Sequence, residues 1–396
     1  MAKNTKKAPR LEVENLGQIR SGAVEFGDLT LLVGGQASGK SIFLQLLKLL
    51  IDRFQVFDTL QKHGFDWGNA PEKMLELYFG ESMSAIWNEQ TAVIWNKKSY
   101  PLKTLAGRKG AGIAGTEENL FYIPAQRVVT MAQGFPRPFN SFDVGDPYIL
   151  KSFSEVLRLL MEKESPNGGG GGASAIFPRP GRIKEPIRKM VDSGIFHGAS
   201  VELDKATLKK RFLLRVGGSS LPFMTWSAGQ KEFMPLLLSL YHLIPPSKVS
   251  KRDAIEWVVL EEPEMGLHPQ AIQTVMLLCL ELISRGYRVA ISTHSPVLLE
   301  LVWVINRVKS SGGEAGSLFE LFGFPKKDQS LKEVFQTCIG EKTFRTYHFN
   351  RKDDGIHIQD ISGLDPGSDN PTEANWGGLS EFASRAGEVV SKLPKK

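Results

Sequence analysis

The chain has 396 residues, which at roughly 150 per domain is enough for two or three lobes around a sizeable core and excludes a small stapled scaffold. Hydrophobic residues make up 41% and charged residues 23%, with a mean hydropathy of −0.17, so neither wholesale disorder nor a membrane protein is expected. Forty-nine basic against forty-three acidic residues leave a net charge of +6, a mild lean that reads as a solvated basic terminus (Lys3, Lys6, Lys7, Arg10) or as an arm able to touch DNA.

The first forty residues read as alternating apolar strands, LEVENL, GAVEF and DLTLLVGG, running into the helical pattern SIFLQLLKLLIDRF. Further on, FYIPAQRVV reads as a strand leaving into a loop, and DPYILKSFSEVLRLLMEKES as an amphipathic helix. The five-glycine run in PNGGGGGASAIFPRPGR excludes a regular element there. ASVELD and RFLLRVG are strand-like, and TWSAGQKEFMPLLLSLYHLI is a helix capped near Ser227. Strand AIEWVVLEEPE, helix HPQAIQTVMLLCLELISRG, strand YRVAISTHS and helix PVLLELVWVINRVKS then alternate, which predicts an α/β fold with a mainly parallel, doubly wound sheet. The apolar runs from Ile42 and Val275 are too short or too interrupted to span a membrane. Cys279 and Cys338 stand alone and no export leader is legible, so the expected compartment is the cytosol.

Gly34 to Ser41, GGQASGKS, matches GxxxxGK[ST] between an apolar strand and an apolar helix. In such a cradle the backbone N–H groups of Gly34, Gly35, Gln36, Ala37, Ser38 and Gly39 can curl around phosphate oxygens. Lys40 then neutralises the β and γ phosphates of ATP, and the Ser41 hydroxyl can ligate Mg²⁺. Four apolar residues deliver Glu261 and Glu262 to a strand end, where adjacent carboxylates need separate roles. Glu261 is assigned to the Mg²⁺ shell and Glu262 to polarising the attacking water. His294, just past another apolar strand, shares that edge and can sense a γ-phosphate, whereas His268 reads as a turn or interface residue.

GGQASGKS, SAGQ, LEEPE and STHSP, in that order, resemble the motif series of ABC-type ATPases of the soluble SMC/OLD-like branch. The EEPExGLHPQ run and IPAQR are similar to those of stand-alone ATPases in bacterial genome-maintenance and phage-defence systems. The resemblance covers roughly residues 10–50, 121–130 and 210–305. It implies an ABC-type P-loop core, divided as 1–50 (N-terminal core), 51–210 (an inserted helical lobe), 211–310 (C-terminal core) and 311–396 (a tail subdomain). It further implies that Ser227, Gly229 and Gln230 face the nucleotide of a second copy, giving an ATP-sandwiched homodimer. Gln126 resembles the glutamine that senses Mg²⁺ and the γ-phosphate; Gln133 is a nearby rival, and a buried turn glutamine the plain alternative.

Gln36 stands where relatives often carry Asn, Glu261 where many carry Asp, and no heptads suggest the long coiled coil of SMC-like relatives. The reading that follows is an ATPase acting as sensor or regulator of a separate effector in anti-phage defence. A DNA-binding genome-maintenance ATPase is the alternative, and a transport ATPase a remote third. Asp353, Asp354 and His357 read as a polar hairpin turn and Asp365 and Asp369 as a turn, not as a nuclease centre.

Overall fold

The computed structural model describes residues 8–107, 117–163, 174–204, 210–245, 251–252, 254–326 and 328–392. Lys3, Lys6, Lys7 and the glycine run 168–172 lie outside the described residues. Strands β1 (Arg10–Leu16) and β2 (Ile19–Glu25) form an antiparallel hairpin, and β3 (Leu29–Gly34) leads through the glycine-rich turn into α1 (Lys40–Lys62). Next come α2 (Pro71–Phe79), β4 (Ala92–Trp95), β5 (Lys98–Ser99), α3 (Leu102–Leu105) and β6 (Leu120–Ile123). A short hairpin, β7 (Met131–Ala132) and β8 (Phe135–Pro136), precedes α4 (Tyr148–Lys163). Strand β9 (Ser174–Phe177), helix α5 (Glu185–Val191) and strands β10 (Ser200–Asp204), β11 (Arg211–Val216) and β12 (Ser219–Pro222) follow.

The chain then alternates through α6 (Ala228–Leu243), β13 (Trp257–Glu261), α7 (Pro269–Ser284), β14 (Arg288–Thr293) and α8 (Pro296–Ser310). It closes with α9 (Gly316–Leu321), α10 (Gln329–Gly340), β15 (Phe344–Lys352), β16 (Gly355–Asp360), α11 (Pro371–Ala374) and α12 (Glu381–Ser391).

Ten strands make the main sheet in the order β5-β4-β1-β2-β16-β15-β3-β14-β13-β6. From β15 to β6 every pairing is parallel, whereas β5, β4, β1 and β2 form an antiparallel arm. Strands β3 and β13 are buried along their whole length because both faces of the sheet are covered there. Leu29, Leu31, Val33, Val258 and Leu260 enter one core with α6, α7, α8 and α10, while Leu32, Trp257 and Val259 enter the other with α1 and α2. This is the expected α/β architecture with a large, mainly parallel sheet, and the cradle strand β3 lies between β15 and β14 in its parallel part.

Two departures have physical causes. Besides helices, the stretch 51–210 carries β4, β5 and β6 of the main sheet, together with β9 and β10 of a separate antiparallel sheet ordered β12-β11-β10-β9. Val201, Leu203, Phe212 and Leu214 alternate into the core there, a period of two that helices do not show. Residues 311–396, expected as a tail subdomain, instead supply β15, which runs parallel to β3 with Phe344 opposite Leu29 and Phe349 opposite Gly34. Pairing there gives β3 a neighbour on its second edge, so its backbone groups are bonded on both sides. The hairpin expected around Asp353 and Asp354 is the β15–β16 turn.

Candidate active site at the ends of the parallel strands

The parallel strands deliver their C-terminal ends to one edge. Val33 on β3 pairs with Thr293 on one side and His348 on the other, and Ser292 pairs with Glu261. The cradle, the His294 turn and the acidic pair therefore sit within three adjacent strands.

Gly34 and Gly39 bracket the cradle at φ 147° and 88°. A Cβ at Gly34 would lie 2.8 Å from the Phe349 carbonyl oxygen, and one at Gly39 would lie 2.9 Å from Ile19, so both positions exclude side chains. Lys40 Nζ donates to the carbonyls of Gly34 (2.9 Å) and Gly35 (3.0 Å) and to Ser38 Oγ (3.2 Å). These bonds fix the ammonium inside the loop. Burial lowers its pKa to about 8, against the opposing pull of Glu262, Glu264 and Glu261. From outside, Gln18 Nε2 (2.7 Å) and Arg351 Nη2 (3.2 Å) both donate to the Ala37 carbonyl and hold the loop to the β1–β2 turn and to β15. A cavity of about 230 Å³ opens over the cradle, with Gln36, Lys40, Ser41, Glu262 and His294 among its walls.

The two adjacent glutamates have opposite surroundings. Glu261 is buried, and its Oε2 accepts from Ala125 N–H at 3.3 Å. Its Oε1 is buried without a hydrogen-bond partner. Burial raises the Glu261 pKa, with the Ser41 and Tyr122 hydroxyls and the Ala125 N–H opposing the rise. Glu262 lines the cavity in a left-handed conformation, φ 42°, with its N–H donating to Ser292 O at 2.9 Å. Its Oε1 lies 3.4 Å from His294 Nε2. That contact lowers the Glu262 pKa in spite of partial burial, with Lys40 and Arg127 adding to the effect.

Glu264, given no role in the sequence reading, anchors the histidine turn. Its Oε1 accepts from Thr293 Oγ1 (2.6 Å) and from His294 N–H (2.7 Å). His268 Nδ1 accepts from Gln270 N–H at 3.3 Å as the N-cap of α7, a turn role. Gln126 is exposed one residue past Ala125 and is absent from the cavity wall; Gln133 occupies the β7–β8 turn at φ 52°. The signature segment also stands apart from its own chain's cradle. Ser227 Oγ accepts from Gln230 N–H (3.3 Å) and Gln230 Oε1 from Ser227 N–H (3.1 Å), a reciprocal cap on α6. Gln230 Nε2 donates to Ile195 O at 3.2 Å, so its amide is engaged within the chain. At Gly229 a Cβ would lie 2.9 Å from Gly266 O, which ties α6 closely to the turn after the acidic pair.

Arg127, directly after Gln126, was also missed. Its guanidinium is buried and meets the backbone carbonyls of Glu232, Glu261, Glu262 and Pro263. A basic residue beyond an apolar strand ordinarily reads as solvated, and only burial reveals this one.

Among the described residues no group of three or more His, Cys, Asp and Glu could hold a metal ion. A Mg²⁺ ion fits nonetheless, since it is commonly held by one or two protein oxygens together with substrate phosphates and water. Ser41 and the unpartnered Glu261 Oε1 are of that kind.

Comparison with known proteins finds the following likenesses. A family model described as "AAA domain, putative AbiEii toxin, Type IV TA system" matches residues 131–300. Curated proteins give no match. Among solved structures, an SMC head domain from Thermotoga maritima is 12% identical over 90% of this chain and 99% of that one, with a TM-score of 0.37. An SMC head domain with an extended coiled coil, bound to the C-terminal domain of ScpA from Pyrococcus furiosus, is 10% identical over 97% and 100%, with a TM-score of 0.40. A bacterial ABC transporter cassette, solved as a dimer, is 10% identical over 73% and 89%, with a TM-score of 0.32. Scores this low describe a likeness, and the fold assignment stands on the strand order.

Proposed function

We propose that the chain binds and hydrolyses ATP as a sandwiched homodimer and uses the cycle to regulate a separate effector protein in bacterial anti-phage defence. The observation that carries the ATPase reading is the buried Oε1 of Glu261, which has no hydrogen-bond partner, in a carboxyl group that the Ser41 hydroxyl also influences. A carboxylate oxygen left without a donor in a buried site is costly unless a cation completes it.

On this reading the cradle N–H groups and Lys40 hold the phosphates, while Ser41 and Glu261 would hold Mg²⁺. The ion supplies charge neutralisation as the terminal phosphoryl group is transferred. Glu262 orients the attacking water and accepts its proton as the new P–O bond forms and the bond to the ADP oxygen breaks. His294, held by Glu264, keeps the Glu262 carboxylate aimed and meets the γ-phosphate. The exposed start of α6 at Ser227 supports the homodimer, because it is a helix N-terminus, the end that favours anions, and lies outside the cavity of its own chain.

The defence role and the effector rest on the resemblance to stand-alone defence ATPases and on the name of the matched family model. We place the chain in the cytosol, where ATP is supplied; among the described residues no helix is long and apolar enough to cross a membrane.

The test measures phosphate release and self-association of the purified chain with MgATP. Turnover that Glu262→Gln abolishes, together with ATP-dependent dimers of that variant, is the expected result. Undiminished turnover in the variant, or monomers only, would sink the catalytic assignment or the sandwich. Retention of duplex DNA that weakens steeply with salt in the ATP state would favour the genome-maintenance reading.

A further inference from the structure

Arg127 is 1% exposed, and its planar fork joins three segments distant in sequence. Nε donates to Glu232 O at 3.0 Å and lies 3.5 Å from the Glu232 carboxylate, both on the first turns of α6. Nη1 donates to the carbonyls of Glu261 (3.2 Å) and Glu262 (3.3 Å), and Nη2 to those of Glu262 (3.4 Å) and Pro263 (3.4 Å). Its own carbonyl is pinned by Thr130 Oγ1 at 2.6 Å.

Burying a guanidinium is expensive unless it is fully bonded. Here most of the bonds go to one short stretch of backbone, in which Glu262 is held at φ 42°. Such a conformation is disfavoured for a residue with a side chain and persists only where its surroundings impose it. Gly266 O, 2.9 Å from where a Gly229 Cβ would stand, gives the same two segments a second contact. Helix α6 and the acidic turn thus meet at two places, and Arg127 makes one of the two links.

We infer that Arg127 is a positioning residue that makes Glu262 follow the N-terminus of α6, so that seating α6 on a nucleotide sets the carboxylate for hydrolysis. The inference rests on the ATPase reading above and adds its regulation. Arg127 need not touch nucleotide. A guanidinium can serve several carbonyls and a carboxylate at once because its donors lie in a fixed plane, whereas a lysine ammonium at the same place cannot span them.

The test uses the full chain with Arg127→Lys, and with Glu232→Gln as a second variant because the first removes buried bonds and can cost folding. Each is read for nucleotide affinity, turnover and hydrogen exchange with and without MgATP. The expected result for Arg127→Lys is nucleotide affinity within about threefold of the parent and turnover lower by about 10²-fold, the scale of a roughly 1 Å misplacement of a catalytic group. ATP should still protect residues 34–41 from exchange, while the ATP-dependent response expected at residues 261–267 in the parent is lost. Glu232→Gln should change the same readouts in the same direction and less, and the double variant should be no worse than Arg127→Lys, as expected of one shared linkage.

Turnover within fivefold of the parent in a folded Arg127→Lys protein, or an unaltered exchange response at 261–267, would overturn the inference. So would a loss of affinity parallel to the loss of turnover, which marks a merely structural role. Absence of ATP protection at 34–41 in the parent chain would instead remove the ATPase reading itself, and the inference with it.

Discussion

His294 Nε2 stands 3.4 Å from Glu262 Oε1 at the mouth of the cradle, so the first residue past β14 touches the first residue past β13. The contact helps hold the Glu262 pKa below its ordinary value. Glu262 is therefore ionised at neutral pH, as a group that orients and deprotonates water requires. Glu262→Gln keeps the shape and removes the proposed base. ATP should bind with near-parental affinity and persist uncleaved, and phosphate release should fall by about 10²-fold or more. Single-turnover assays with labelled ATP check this, and a cleavage rate within tenfold of the parent would show that the base lies elsewhere.

Lys40 gives a prediction in pH. With its pKa near 8 in the free chain against an ordinary 10.5, it loses its charge as pH rises through about 8, and a bound polyphosphate must restore the proton. Affinity for ATP should thus decline above pH 8, with proton uptake on binding between about 8 and 10 and none from this group near 6.5. The same shift makes this group's contribution to folding more favourable as pH rises from about 8 to 10.5, because over that window the unfolded lysine holds a proton the folded one has lost. Titration calorimetry in buffers of different ionisation heat measures the uptake. Lys40→Ala should weaken ATP binding by at least about 30-fold, the low end for losing one partner of a buried charged contact. Equal affinity in parent and variant would refute the cradle assignment.

The cradle and the acidic strand end were legible because their signals are local. Glycines at fixed spacing between a strand and a helix, or four apolar residues ending in two carboxylates, need no tertiary knowledge. The parallel neighbour of β3 was not legible, since Phe344 pairs with Leu29 across more than three hundred residues and a parallel pairing leaves no turn signal. Arg127 and Glu264 escaped notice for a different reason. Their roles depend on burial and direction, and spacing shows neither: Glu264 lies two residues past Glu262 yet reaches across to the His294 turn.

A stability prediction follows from the kink in α1. Asp52 departs from helical geometry at φ −118° and accepts from the backbone N–H groups of Asn119 (3.0 Å) and Leu120 (2.9 Å) at the start of edge strand β6. Lys48 Nζ, fully buried, meets Asp52 Oδ2 and Glu118 Oε1, each at 2.7 Å. Asp52→Ala removes one partner of a buried pair and orphans two N–H groups, so it should destabilise by about 3–5 kcal/mol. Urea unfolding measures this, and a loss below about 1 kcal/mol would mean that water takes over the network.

Glu264→Ala deprives Thr293 Oγ1 and His294 N–H of their shared acceptor. Losing charge-assisted bonds worth about 1.5–3 kcal/mol should lower turnover by about 10- to 100-fold with nucleotide affinity unchanged. Glu264→Gln retains an acceptor oxygen and should recover part of the rate. Full activity in Glu264→Ala would free His294 from this support.

The sandwich model makes its sharpest prediction at Ser227, which caps α6 away from the cavity of its own chain. Ser227→Arg leaves each cradle intact and places bulk and charge where a partner's nucleotide is proposed to seat, so ATP binding should survive while turnover fails. Lys40→Ala has the converse defect, an intact signature with a disabled cradle. Neither variant alone should turn over ATP. Mixed, they form heterodimers in which one composite site joins the intact cradle of the Ser227→Arg chain to the intact signature of the Lys40→Ala chain. With equal amounts and random pairing, half of all dimers are mixed, and each carries one sound site of two. Activity should therefore return to about a quarter of the parental rate if the sites act independently, and to less if they must fire together. Heterodimers must be shown by differential tags in the same samples. Single-turnover cleavage, which one sound site can perform, is read in the same mixture, and its absence there would count against sites shared between two chains and leave Ser227 only a helix cap.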